Sequence, residues 1–326
     1  MNTSEFPSDS SPLISIIIPC YNSATTVTDC LDSVLEQTYK NLEVLMIDDC
    51  STDGTKPIVK DYRDQHGNLS IRVLENRQNM GVSYARNKGL ENASGQYVAF
   101  LDADDKLETD FCEHLLRFAN ENDLDIICCN GVKTNATTKR PYFPVFDGLK
   151  LGTAEELLTD NACHAYFDSS CCKLYRREIL CKNAIVFRIG MTFGEDTLFA
   201  TQAALNCPRI GILGNYMGYQ YRISDQSSSS KATVQSRLQN IALLLTELHK
   251  SLPKGKDFLL LRKSKEYLWT IRKFGKKERP SLLHELVHSG LWKDILFPVI
   301  CAYGKWKHKI VVKALQRGYF WMIRLW

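Results

Sequence analysis

Leu13-Ile14-Ser15-Ile16-Ile17-Ile18 is a short β-branched apolar run closed by Pro19, the pattern of a strand buried on both faces of a parallel sheet. Val27, Leu31, Val34 and Leu35 then recur at helical spacing, with Ser23 or Thr25 as candidate caps. A second run, Leu42 to Ile47, ends in Asp48-Asp49; Ser51 to Thr55 reads as a turn and helix start, and Ile58, Val59 and Tyr62 carry the helix on. Ile71 to Leu74 predicts a third strand, Asn76 to Gly81 a polar loop, and Val82 to Glu91 a helix. Ser94-Gly95 turns the chain into Tyr97-Val98-Ala99-Phe100-Leu101, a buried strand that runs straight into Asp102-Ala103-Asp104-Asp105. Strands alternating with helices over about a hundred residues predict an α/β layer with a mixed, mostly parallel sheet flanked by helices. Ligands of such sheets bind beyond the carboxyl ends of the strands, so Tyr21, Asp49, Asp102 and Asp104 are expected to share one crevice.

Beyond this point the pattern loosens. Phe111 to Asn122 predicts an amphipathic helix and Asp125 to Cys129 a strand. Residues 131–168 are less regular, with Pro141 and Pro144 in a hairpin or loop. Cys171 to Arg177 predicts another strand, Gly194 to Ala200 a helix start with Glu195 and Asp196 in its first turn, and Gln220 to Arg222 a further strand. A Ser-rich loop, Ser224 to Ser230, precedes a long helical stretch from Val234 to Lys250.

Charge divides the chain in two. Lys250 to Trp326 holds 18 Lys and Arg against 5 Asp and Glu, a net of +13, which leaves −9 for the preceding 249 residues. All five tryptophans (Trp269, Trp292, Trp306, Trp321 and Trp326) lie in that basic part. Phe258 to Phe274 and Leu282 to Ile300 mix apolar, aromatic and basic residues at helical spacing, and Lys305-Trp306-Lys307-His308-Lys309 and Trp321 to Trp326 concentrate them. Two readings stand side by side: helices lying in an anionic membrane interface, or a helical subdomain with a solvated basic face. No nucleic-acid-binding motif accompanies these charges, so no nucleic-acid partner is expected. The expected organisation is a disordered N-terminus (1–12), an α/β domain (13–230, with halves 13–105 and 106–230) and a helical basic and aromatic C-terminal region (231–326).

Composition narrows the class only slightly. In 326 residues, 44% are hydrophobic and 24% charged, with no apolar run long enough to span a membrane. Met1 to Ser11 lacks the basic and apolar regions of a secretory signal, which predicts a cytoplasmic protein. Twelve cysteines without a Cys-x-x-Cys pair predict free, mostly buried thiols rather than disulfides or zinc.

The acidic stretch carries the candidate chemistry. Carboxylates separated by one small residue at a strand end can present oxygens to one hard divalent cation, Mg2+ or Mn2+, which in turn holds a diphosphate. They can equally be an Asp-rich turn or helix cap. A nicotinamide dehydrogenase is excluded, because Pro19-Cys20-Tyr21-Asn22-Ser23 supplies none of the glycines its phosphate turn requires.

Four motifs occur in order: Ile16-Ile17-Ile18-Pro19-x-Tyr21-Asn22, Ile47-Asp48-Asp49-x-Ser51-Thr52-Asp53-Gly54, Asn79-x-Gly81-x-x-x-Ala85-Arg86-Asn87-x-Gly89, and Phe100-Leu101-Asp102-Ala103-Asp104-Asp105. With Gly194-Glu195-Asp196 as a fifth, they resemble the family-2 glycosyltransferases of GT-A fold over roughly residues 13–230. The resemblance implies a nucleotide-sugar donor, most simply a UDP-sugar, and transfer with inversion to a hydroxyl of a glycan or lipid-linked acceptor in bacterial surface-polysaccharide synthesis. By the same resemblance Asp49 meets the nucleobase edge, helped by Pro19, Tyr21 and Asn22, and Arg86 lies along the donor. Asp104 is the expected metal ligand and Asp102 a partner of the ribose or of metal-bound water, for Mn2+ or Mg2+. Asp196 is the expected general base, with Glu195 as the alternative. Asp105 reads as a local cap, and Asp53 as a turn or capping residue. The lipid-linked acceptor and basic tail imply peripheral association with the inner face of the cell membrane. Two rival classes remain: a metal-dependent nucleotidyltransferase, and a membrane-associated nucleotide-sugar-binding protein without turnover.

Overall fold

The computed structural model describes residues 11–135, 137–223, 233–273 and 279–325. They form two units, one of residues 11–190 and 199–223, the other of 191–198 and the chain from 233 on. The division passes through the helix Glu195–Leu205, so the segment carrying Glu195 and Asp196 groups with the C-terminal helices. The Ser-rich loop 224–230 lies outside the described residues, as do residues 1–10 of the expected disordered N-terminus. Ser11 and Pro12 are tied down, their carbonyls accepting from Asn41 Nδ2 and Tyr39 Oη.

The first unit is built on one sheet. Its strands are β1 (Ile14–Cys20), β2 (Leu42–Asp48), β3 (Ser70–Glu75), β4 (Tyr97–Phe100), β5 (Lys106–Leu107), β6 (Ile126–Thr134), β7 (Lys139–Pro141), β8 (Leu149–Gly152), β9 (Lys173–Arg176) and β10 (Ile210–Arg222). The order is β3-β2-β1-β4-β9-β6-β10-β5, with β7 on β6 and β8 on β10. β3, β2, β1 and β4 are parallel, and β9 enters antiparallel between β4 and β6. Every residue of β1 and β2 is buried, as expected for strands covered on both faces.

The crossover helices are α1 (Val27–Leu35), α2 (Thr55–Gln65) and α3 (Val82–Asn92). α3 packs on β1 so closely that a Cβ on Gly89 would overlap Ile17 Cγ2, which accounts for the glycine in the Ala85-Arg86-Asn87-x-Gly89 motif. At the opposite, N-terminal edge of these strands Glu43 is buried and accepts from Ser15 Oγ (2.6 Å) and from the backbone and hydroxyl of Ser94 (2.7 and 2.8 Å). Burial alone would raise its pKa, but these donors outweigh it and hold the carboxyl below its ordinary range.

The second unit is helical, with Val234–Ser251, Leu261–Arg272, Arg279–His288, Phe297–Tyr303 and Trp306–Gln316, and a π-helical turn at Leu291–Leu296. It has its own apolar core, including Leu244, Leu245, Leu268, Leu283, Ile300 and Val312. Trp292 lies at the centre of that core, fully buried, its indole N–H donating to Gln316 Oε1. The Leu282 to Ile300 stretch therefore spends its tryptophan on packing. Phe274, Trp326 and the Trp321 side chain lie outside the description. No helix among the described residues is long and apolar enough to cross a membrane. All twelve cysteines are free and nine are buried, among them Cys20, Cys30 and Cys112.

Candidate active site

The parallel register sets the site. β1 and β2 end level, Cys20 opposite Asp48, whereas β4 pairs only as far as Ile17↔Phe100. The backbone of Leu101 donates once more to Ile17 O, and the chain then turns away through Asp102-Ala103-Asp104-Asp105, closed by Asp105 N to Asp102 O at 3.0 Å. The acidic turn thus begins beside the carboxyl ends of two longer strands. Pro19 is buried within β1, and Tyr21, just past its end, is half exposed.

Asn22 follows in the left-handed region (φ 52), which asparagine tolerates better than most residues. Its carboxamide oxygen accepts from the backbone of Thr52 at 2.9 Å, and its own N–H donates to Ser51 Oγ at 3.0 Å. Asn22 therefore joins the β1 loop to the β2 loop. Asp53 accepts from Ala24 N and Thr55 N, closing the turn that leads into α2.

Asp49 is buried, and its carboxylate is shared among three donors: Asn76 Nδ2 (2.8 Å) and Met80 N (2.9 Å) on Oδ1, and Gly81 N (2.7 Å) on Oδ2. Gly81 sits at φ 85, a backbone state that L side chains rarely adopt, and so can aim its N–H at Asp49. In this geometry Asp49 clamps the Asn76 to Gly81 loop against the end of β2.

Arg86, on α3, is buried and donates from Nη2 to Asp102 Oδ1 at 2.8 Å, with its guanidinium 5.2 Å from the Phe187 ring. Asn87 beside it exchanges two hydrogen bonds with the Phe187 backbone. The third motif is thereby explained: Gly89 for contact, Asn87 for a loop, and Arg86 for the acidic turn.

Asp102 is about one third exposed, Asp104 is partly exposed and Asp105 is buried. Burial, and then the charge of Asp102, hold the Asp104 carboxyl above its ordinary range; burial and both neighbours push Asp105 much further in the same direction. Asp105 is not a local cap. It accepts from Tyr219 Oη (2.7 Å) and from Arg222 N (2.8 Å), both on β10, and Arg222 in turn pairs with Asp29 at 2.8 Å. Tyr219 and Arg222 escaped the sequence reading because nothing near them in the chain signals a partner more than a hundred residues away.

The residues fit a divalent cation as half of a site. Asp102 and Asp104 offer hard oxygens in a place with too much negative charge. Among the described residues no group of three or more His, Cys, Asp or Glu side chains is arranged to hold a metal. That donor set suits Mg2+ or Mn2+ held by one or two carboxylates, with diphosphate and water filling the remaining positions. Glu195 and Asp196 open the helix Glu195–Leu205, after Gly194 at φ 85, with Glu195 buried and Asp196 partly exposed.

The chain is 31% identical over 220 residues to the uncharacterized glycosyltransferase EpsJ of Bacillus subtilis, covering 66% of this chain and 62% of that protein. It is 30% identical over 239 residues to the poly(ribitol-phosphate) beta-N-acetylglucosaminyltransferase TarS of Staphylococcus aureus, covering 72% of this chain and 40% of that one. The chain thus spans less than two thirds of the length of these curated relatives. Among solved structures, TarS 1-349 in complex with UDP-GlcNAc superposes with a TM-score of 0.80 at 25% identity, covering 96% of this chain and 89% of that chain. A mannosyltransferase from Pyrobaculum calidifontis in complex with GDP-Man and Mn2+ shares the fold at a TM-score of 0.56 and 16% identity. Residues 15–182 match the family model described as Glycosyl transferase family 2, and with the sheet and motifs above this chain belongs to glycosyltransferase family 2, with a GT-A fold.

Proposed function

We propose that this chain transfers a sugar, with inversion, from a UDP-sugar to a hydroxyl of a glycan or lipid-linked acceptor in surface-polysaccharide synthesis, at the inner face of the cell membrane. The observation that carries the reading is the acidic turn, set beside the ends of parallel strands and held by Arg86 and Tyr219. The UDP and UDP-GlcNAc complexes of TarS support a uridine nucleotide.

In this reading Asp104 and Asp102 hold Mn2+ or Mg2+. The cation, when bound, offsets the charge of the departing nucleoside diphosphate. Arg86 keeps Asp102 oriented through its 2.8 Å pair, which holds that side of the turn in place. Tyr21 offers an exposed ring for the base, and the Asp49 clamp holds the loop that closes the nucleotide side. Asp196 takes the proton of the acceptor hydroxyl as it attacks the anomeric carbon; Glu195, the buried residue before it, is the alternative.

The test is a panel of nucleotide sugars with Mn2+ or Mg2+, read as nucleoside diphosphate release. Release from one donor supports the proposal. Pyrophosphate release instead would indicate a nucleotidyltransferase, and tight donor binding without turnover across an acceptor panel a binding protein.

A further inference from the structure

The helix Trp306–Gln316 buries Val311, Val312 and Leu315 in the core of the second unit. Trp306, Ile310, Lys313 and Arg317 follow at i, i+4, i+7 and i+11, which aligns them in one stripe along the helix. All four are exposed, Trp306 by 75% and Ile310 by 48%. The stripe thus presents two large apolar side chains followed by two cations.

A second group of charges gathers at the start of this helix. Lys305 is its N-cap residue and Lys307 and Lys309 fall in its first turn, which has no acid. The helix dipole disfavours cations there, so their placement does not serve the stability of the helix. They also crowd their neighbours: burial and then the charges of Lys305 and Lys307 lower the pKa of Lys265, and burial followed by Lys265, Lys307 and Lys305 lowers that of His308. Tyr303, exposed by 44%, lies just before this cluster in the chain.

We infer that Trp306, Ile310, Lys313 and Arg317, flanked by Lys305 and Lys307, form a docking surface for an anionic lipid bilayer. This rests on the proposed placement of the enzyme at the inner face of the cell membrane. A soluble polyanion would satisfy the cations but leave Trp306 and Ile310 in water. A second copy of the chain would bring the same cations face to face across a two-fold interface. A bilayer interface receives both kinds of side chain, the indole at headgroup level and the lysines against phosphate.

Co-sedimentation of the full chain with phosphatidylcholine vesicles, and with vesicles of equal parts phosphatidylcholine and phosphatidylglycerol, tests this. Binding should be confined to the anionic vesicles. Lys313→Gln with Arg317→Gln should weaken it roughly tenfold or more, at about 1 kcal/mol per charge near the surface. Trp306→Ser with Ile310→Ser should weaken it comparably, while Trp306→Phe largely retains it. Equal binding to neutral vesicles, or unchanged binding by both double variants, overturns the inference. So does a dimer in light scattering that the Trp306→Ser, Ile310→Ser variant abolishes. Unchanged thermal unfolding shows that the variants are folded. Nucleoside diphosphate release with a water-soluble acceptor should be the same for all of them, so the surface and the glycosyltransferase reading fail separately.

Discussion

Tyr219 Oη donates to Asp105 Oδ2 at 2.7 Å and accepts from the backbone N–H of Asp102 at 3.3 Å, so one buried hydroxyl on β10 spans both ends of the acidic turn. The turn is thereby fixed at three places: by Tyr219, by the Arg222 N–H, and by Arg86 on the Asp102 carboxylate.

Tyr219→Phe keeps the ring and removes only the hydroxyl, leaving a buried carboxylate oxygen without its donor. We expect a loss of about 1–3 kcal/mol in stability. The concentration of Mn2+ needed for half-maximal donor turnover should also rise several-fold, because the turn is no longer held in shape. Metal titration of the variant checks this; a wild-type titration curve with lowered stability would reduce Tyr219 to a structural role.

Asp49→Asn replaces one accepting oxygen by an amide that faces another donor. Whichever way the amide turns, Gly81 N or the Asn76 and Met80 pair loses its acceptor. The Asn76 to Gly81 loop should loosen, and UDP affinity measured by calorimetry should fall roughly tenfold, the equivalent of about one lost hydrogen bond to a charged group. Unchanged affinity would separate this loop from nucleotide binding.

Asp196→Asn is nearly isosteric and cannot take up a proton. Turnover should fall by roughly 10²–10⁴ while donor affinity stays as in the wild type. A normal rate would move the general-base role to Glu195 or outside the Gly194-Glu195-Asp196 motif.

Glu43 carries a pH dependence of fold stability. Its folded-state pKa lies below the ordinary glutamate value because of the Ser15 and Ser94 donors, so its contribution is present above that ordinary value and is lost as pH falls through the lowered one. Glu43→Gln should lower the melting temperature at neutral pH and flatten its decline between neutral and acid conditions. Parallel melting curves for the two proteins over that range would contradict the assignment.

The sequence was legible where a local pattern determines structure. Fully buried β1, β2 and β4 announce themselves as β-branched or apolar runs, and Asp48-Asp49 and Asp102-Ala103-Asp104 stand where those runs stop. The sequence pattern marks β10 only at Gln220 to Arg222. Its first half, Ile210-Gly211-Ile212-Leu213-Gly214, is interrupted by glycines, which are there because a Cβ would collide with Leu124 at one position and Phe146 at the other. That reason is visible only in three dimensions. Asp105 read as a cap because its true partners, Tyr219 and Arg222, are brought in by the antiparallel pairing of β10 with β5. In the basic tail, helical periodicity alone could not separate Trp292, at the centre of the core, from Trp306, on the surface.

In the proposed reaction Asp104 and Asp102 hold a cation together with the donor diphosphate. UDP binding followed by calorimetry, with and without Mn2+, for the wild type and for Asp104→Ala, tests it most directly. Mn2+ should strengthen UDP binding to the wild type by at least roughly tenfold, and Asp104→Ala should abolish this enhancement while leaving the fold intact. Metal-independent UDP binding, or the same enhancement in Asp104→Ala, would contradict it.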